Sequence, residues 1–260
     1  MTSSLALFGS LAVNRITGTE SVAAIGRLID QGQGGYVTTP NVDHVVLART
    51  NRRLRAAYRR AALSLADGQP LIWMAKLLGT PLPEKVSGSD LIWRLAAEAE
   101  QKGWGLFLYG ASPVVSMEAQ RRLLEKHPRL RIVGRNATWW KGGNATDVVE
   151  QIKAAKPDIV IVALGCPKQE LWMRRHASLI SPAVSLGLGG SLDFVAGAVR
   201  RAPTWMSRSG LEWMYRLAQE PRRLAYRYLV RDLRIAPIFA GLMLRRILAG
   251  PNAASVSVSN

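Results

Sequence analysis

The chain has 260 residues, enough for one substantial core or for a core with an appendage. A hydrophobic content of 48% excludes a disordered chain, and the single cysteine, Cys166, excludes a disulfide framework or a cysteine-rich metal site. Thirty-five Lys and Arg against 18 Asp and Glu leave a net charge of +17, which points to a polyanionic partner (nucleic acid, an anionic bilayer or phosphorylated substrates), although an Arg-rich composition that serves only solubility gives the same number.

The first residues, MTSSLALFGSLAVNRI, lack a basic leader and a cleavage pattern, and they read as the start of the fold. From there to about residue 200, short apolar runs alternate with amphipathic stretches. Strands are expected at Tyr36–Thr39, Leu63–Ala66, Gly105–Tyr109, Arg131–Val133, Asp158–Leu164 and Val184–Leu188. Helices are expected at Asp43–Arg60, Ser89–Lys102, Val114–His127, Ala145–Ala155 and Gln169–Ala177. This alternation predicts an α/β, Rossmann-like, mostly parallel sheet with helices on both faces, whose ligands bind outside the carboxyl ends of the strands. No run reaches the roughly 18 uncharged apolar residues that span a bilayer, so a soluble or peripheral protein is expected.

The composition changes near residue 200. Arg200 to Arg246 holds eleven Arg and no Lys, opposed only by Glu212, Glu220 and Asp232, and also Trp205, Trp213, Tyr226 and Phe239. The predicted organisation is a core over residues 1–199, a basic helical appendage over 200–247 and a disordered tail over 248–260.

Five strand-end loops could carry chemistry. Thr38-Thr39-Pro40-Asn41 offers hydroxyls and an amide at a helix start, suited to a phosphate or sugar hydroxyl; Asn41 also reads as a plain N-cap. Ala66-Asp67-Gly68 places a carboxylate where it could act as general base, or form an ordinary Asp-Gly turn. Gly165-Cys166-Pro167-Lys168-Gln169-Glu170 opens a helix after a buried strand, and Tyr109-Gly110-Ala111-Ser112-Pro113 has the same form one strand earlier. Gly187-Leu188-Gly189-Gly190-Ser191-Leu192-Asp193 allows close ligand approach, with Asp193 able to meet a ribose hydroxyl. No dinucleotide Gly-x-Gly-x-x-Gly, Walker A, Gly-x-Ser-x-Gly or Asp-X-Asp motif is present. His44, His127 and His176 fall at helical positions and read as packed or surface residues, and with one cysteine no zinc set is expected.

These loops, in this order, resemble the WecG/TagA/CpsF family of bacterial glycosyltransferases (glycosyltransferase family 26). The resemblance covers residues 5 to 235. It rests on Thr39-Pro40-Asn41, Ala66-Asp67-Gly68, Lys85-Val86-Ser87-Gly88-Ser89-Asp90, Gly165 to Glu170 and Asp193-Phe194-Val195-Ala196-Gly197. Arg201 to Met206 and Gly210-Leu211-Glu212-Trp213-Met214-Tyr215-Arg216-Leu217 complete it. The resemblance implies inverting, metal-independent transfer of a sugar such as N-acetylmannosamine, its uronic acid or glucose from a UDP-sugar to an undecaprenyl-diphosphate-linked saccharide. It implies no cofactor and a place on the cytoplasmic face of the plasma membrane.

Carried onto this chain, the resemblance makes Asp67 the catalytic base and Thr39, Asn41, Gln169 and Asp193 donor-site residues; Gly110 is added as a donor-loop candidate from its strand-end position. Lys85 stands where the family typically has an Arg facing the diphosphate, and lysine keeps the charge without the bidentate fork. The family's carboxy-terminal appendage implies that Arg216, Arg223 and Arg227 contact the leaving group or acceptor phosphates and that this segment meets an anionic membrane. A nucleic-acid-binding module is the competing reading, motivated by the arginines of Arg49–Arg60 and of the appendage, but it has no use for glycine-rich strand-end loops. Nucleic acid is therefore not expected as a partner, and a homo-oligomer is left open.

Overall fold

The computed structural model describes residues 5–142 and 145–249. Six parallel strands form the main sheet: β3 (Gly35–Thr38), β4 (Leu63–Ser64), β5 (Gly105–Gly110), β6 (Arg131–Asn136), β7 (Ile159–Ala163) and β8 (Val184–Gly187), in the order β4-β3-β8-β7-β5-β6. Before them an antiparallel hairpin joins β1 (Leu5–Phe8) to β2 (Leu11–Asn14), which the sequence reading did not resolve into elements. The helices are α1 (Gly18–Asp30), α2 (Val42–Thr50), α3 (Arg52–Arg59), α4 (Gln69–Leu77), α5 (Gly88–Lys102), α6 (Pro113–Lys126), α7 (Thr146–Ala155), α8 (Lys168–His176) and α9 (Ser191–Val195). The basic segment adds α10 (Thr204–Arg208), α11 (Glu212–Gln219), α12 (Pro221–Tyr226) and α13 (Ile235–Ala249).

The strand sequences explain the two-faced burial. β7, Ile-Val-Ile-Val-Ala, is buried throughout, as a central parallel strand covered on both sides must be. Alternate side chains go to opposite cores. Leu106, Leu108, Ile159, Ile161 and Leu186 pack with α1, α5, α6 and α9, whereas Phe107, Tyr109, Val160 and Val162 pack with α7 and α8. A third cluster joins the hairpin to α2, α3 and α4, and Ile235, Ile238, Phe239, Leu242 and Met243 of α13 pack against it. The basic segment is thus fastened to the core at its far end.

Three expectations are corrected. The single helix expected over Asp43–Arg60 is two, because Asn51 adopts an extended conformation (φ −91°, ψ 98°) and its side chain accepts from the Leu54 N–H to start α3. Helices α1 and α4, absent from the expected elements, are present. A Thr17–Glu20 capping box starts α1, and Pro70 in the first turn of α4 follows a Gly68 at φ +135° that an L side chain would rarely adopt. Residues 248–249, placed in the tail, belong to α13; the rest of that tail, 250–260, lies outside the described residues. No helix among the described residues is long and apolar enough to cross a membrane.

Candidate active site

A cavity of about 640 Å³ opens at the carboxyl ends of β3, β4, β7 and β8 and is closed on its far side by α11, α12 and the turn that follows. Thr39, Asn41, Asp67, Gln169, Arg216, Arg223 and Arg227 line it, so seven of the residues chosen from sequence share one space. Gly110, Lys85 and Asp193 are not part of its wall.

Each lining residue is held by a local reason. The Thr39 hydroxyl donates to the Gly187 carbonyl at 2.8 Å, tying the end of β3 to the end of β8. Asn41 is the N-cap of α2. Its side-chain oxygen accepts from the Asp43 N–H at 3.1 Å and from Arg227 at 3.2 Å, and lies 2.7 Å from His44 Nδ1. That oxygen is saturated, and the amide NH₂ is the group left to meet a ligand. Gln169 is buried, donating to Glu170 Oε1 at 2.8 Å and accepting from the Gly189 N–H at 3.0 Å. It therefore joins the start of α8 to the glycine loop after β8, a strut as much as a contact.

Asp67 sits between two neighbouring segments. Its own N–H donates to the Pro40 carbonyl, and the Val86 N–H donates to the Ala66 carbonyl, both at 2.8 Å. Burial raises the Asp67 carboxyl above its ordinary range, and the nearby Glu212 carboxylate raises it further; Lys85, the Gly88 N–H and Arg216 pull the other way. A recessed carboxylate with raised proton affinity is what a general base needs. Asp193 is also raised, by burial first and by Glu220, against the pull of Arg223 and Arg216.

The arginines divide into two sets. Arg216 lies over the Phe194 ring at 5.1 Å, with Glu220 at 3.8 Å, and Arg223 is paired with the same Glu220. Arg227 is turned toward the core, 3.3 Å from Asp43 and 3.7 Å from Asp232. Arg231 joins it through a fork on Asp43, at 2.6 and 2.9 Å. Asp43 is only 2% exposed, and Asp232 is pushed up to about 6 by burial and by Asp43 beside it.

The residues outside the wall have their own explanations. A Cβ on Gly110 would lie 2.6 Å from the Ala163 carbonyl, so this glycine permits β5 to approach β7; β7 also separates it from the cavity. Lys85 Nζ bonds the Ser207 hydroxyl at 2.8 Å and pairs with Glu212 at 3.1 Å. Glu212 was given no role from the sequence, where it is one of three acids in a basic stretch.

The fold also gathers a group that the cysteine count did not foresee. The donor atoms of His44, Cys166 and Glu170 lie within 4.8 Å of one another, with His44 Nε2 at 3.4 Å from Glu170 Oε1. Three donors are one short of a closed structural zinc site, and Arg227 and Arg231 already bring positive charge to the same thiol. Burial and Glu170 hold that thiol well above its ordinary range.

A parallel sheet with a charged strand-end cavity and an Arg-lined cover has the geometry of a ligand site, and its charge suits phosphorylated groups. The family model described as "Glycosyl transferase WecG/TagA/CpsF family" matches residues 6–252. The chain belongs to this family of glycosyltransferases. It is 37% identical over 195 residues, 75% of each chain, to an N-acetylglucosaminyldiphosphoundecaprenol N-acetyl-beta-D-mannosaminyltransferase of Bacillus spizizenii strain W23. It is 35% identical over 195 residues, again 75% of each chain, to a protein of the same name from Bacillus subtilis strain 168.

Proposed function

We propose that the protein transfers N-acetylmannosamine from a UDP-linked donor to N-acetylglucosaminyl-diphosphoundecaprenol, with inversion at the anomeric carbon and Asp67 as the base. The observation that carries this reading is Asp67 itself, recessed in the wall of a cavity that also holds Asn41, Arg216 and Arg223. The names of the two relatives support the choice of sugar and acceptor.

In the reaction, Asp67 takes the proton of the acceptor hydroxyl as the hydroxyl oxygen attacks the donor's anomeric carbon. The bond from that carbon to the diphosphate oxygen breaks, and the diphosphate leaves with the electron pair. Arg216 and Arg223 lie on the side from which the appendage covers the cavity and stabilise the departing charge. The chain has no Asp-X-Asp motif, and its arginines supply the cationic charge that such a motif would otherwise recruit through a metal. Trp205, Tyr226, Leu229, Leu233, Leu244, Ile247 and Leu248 are exposed along the basic segment, a pairing of apolar and cationic groups suited to an anionic bilayer carrying the lipid-linked acceptor.

Asp67→Asn tests the assignment. Turnover is expected to fall by about 10²- to 10⁴-fold, the usual worth of a positioned base, while UDP affinity is kept. Unchanged turnover would remove Asp67 from the mechanism.

A further inference from the structure

One contact between the appendage and the catalytic region runs through an acidic residue. Glu212, the first residue of α11, accepts from Lys85 Nζ at 3.1 Å and from the Ser207 hydroxyl at 3.0 Å, and Lys85 also donates to Ser207 at 2.8 Å. The three groups form a closed triangle with one corner on the core and two on the appendage. The core corner is fixed, because the residue after Lys85 donates its N–H to the Ala66 carbonyl, next to Asp67. The appendage corners are fixed as well. Gly210, between Ser207 and Glu212, has φ +72° and lies so close to Trp73 of α4 that a Cβ there would be 2.4 Å from the ring. Only a seated appendage brings Glu212 to this place.

We propose that Glu212 is a positioning residue for transfer: by drawing Lys85 into this triangle it sets the charge beside Asp67, so that seating the appendage also prepares the base. This rests on the reading of Asp67 as the base.

The charges that face Asp67 support the role. Glu212 and Arg216 come from α11, Lys85 from the segment before α5, and the Gly88 N–H from the first turn of α5. Arg201, which also feels Asp67 and Glu212, is tied up by its pair with Asp90. Burial would raise the Glu212 carboxyl, yet Lys85 and Ser207 outweigh it and hold it below the usual range, so Glu212 stays ionised when Asp67 works. An ionised Glu212 strengthens Asp67 as a base, and a free Lys85 would weaken it. The lysine is thus occupied in the core-to-appendage contact instead of standing free for a diphosphate.

The test is the pH dependence of kcat/KM in the full-length protein for the wild type, Glu212→Gln, Lys85→Met and Glu212→Asp, with UDP affinity and thermal unfolding measured on each. Glu212→Gln is expected to move the acidic limb to lower pH by about half a unit or more, about threefold in rate on that limb, and Lys85→Met to move it to higher pH. Glu212→Asp keeps the charge and is expected to keep the wild-type limb. Limbs that stay in place, or that move in the same direction in both neutral variants, overturn the proposal. If Glu212→Gln does not fold, Lys85→Met and Glu212→Asp decide it by the same criterion. Asp67→Asn in the same assay separates the two ideas: if it is as active as wild type the base assignment fails, and if it is inactive while the limbs do not move, the role of Glu212 alone fails.

Discussion

Asp67 meets two opposed demands. Burial and Glu212 raise its folded-state pKa above the ordinary value of 3.8. Below that ordinary value both folded and unfolded chains hold the proton, and the carboxyl costs nothing. As pH rises the unfolded chain ionises first, so the stability penalty grows and is complete above the folded pKa. Asp67→Asn removes the penalty while an amide oxygen still accepts from the Gly88 N–H, so the variant is expected to melt at a higher temperature than the wild type at neutral pH, and calorimetry on the two proteins checks this. The same shift fixes the wild-type pH profile. As the proposed base, Asp67 must be unprotonated, so kcat/KM is expected to fall with decreasing pH along a limb centred above 3.8, and a limb at or below that value would mean that another group titrates. Residue placement was readable from sequence where a strand-end loop carried it: Thr39, Asn41, Asp67 and Gln169 were singled out because each follows an apolar run, and all four line the cavity. Glu212 was hidden because its meaning comes from a contact across the fold with Lys85, far earlier in the chain.

At the scale of elements, the carboxyl ends of the strands supply one wall of the site, and α11 with α12 and the following turn supplies the other. What holds the second wall in place is the first turn of α2, where buried Asp43 takes Arg227 and Arg231 together. Removing that carboxylate takes the closest anion from both guanidinium groups and leaves them Asp232, 3.7 Å from Arg227. Asp43→Ala is expected to cost more than the ~1 kcal/mol of an exposed pair and less than the ~3–5 kcal/mol of a fully buried one, because both arginines keep some solvent. Denaturant unfolding measures the cost, and limited proteolysis is expected to cut earlier near Arg200. Elements with a strong periodic signal, such as the unbroken apolar run of β7, were legible in advance. The break at Asn51 was not, because an apolar run before one Asn and an Arg-rich run after it still read as a single helix. The hairpin was equally hidden, since four-residue strands with a mixed pattern carry little periodicity of their own.

Across the whole molecule, about half of the net charge lies in the segment that also exposes Trp205 and several large aliphatic side chains. Leu244, Ile247 and Leu248 are 57%, 70% and 78% exposed at the end of α13, while the opposite face of that helix packs on the hairpin cluster. If this end meets the bilayer, changing the three residues to Ser removes roughly 1.5–3 kcal/mol of possible burial at each, and binding to anionic vesicles is expected to drop at least about tenfold. Sedimentation with vesicles measures it; retention at wild-type strength would place the contact elsewhere. In the proposed transfer reaction, Asp67 activates an acceptor on a diphosphate-linked lipid. The most direct measurement supplies a panel of UDP-sugars with a synthetic prenyl-diphosphate N-acetylglucosamine to the wild type and to Asp67→Asn, and reads product mass and anomeric configuration. The expected result is addition of one N-acetylmannosamine with inversion by the wild type and a loss of about 10²-fold or more in the variant. Equal product from both proteins, or none from the wild type with any sugar of the panel, would contradict it.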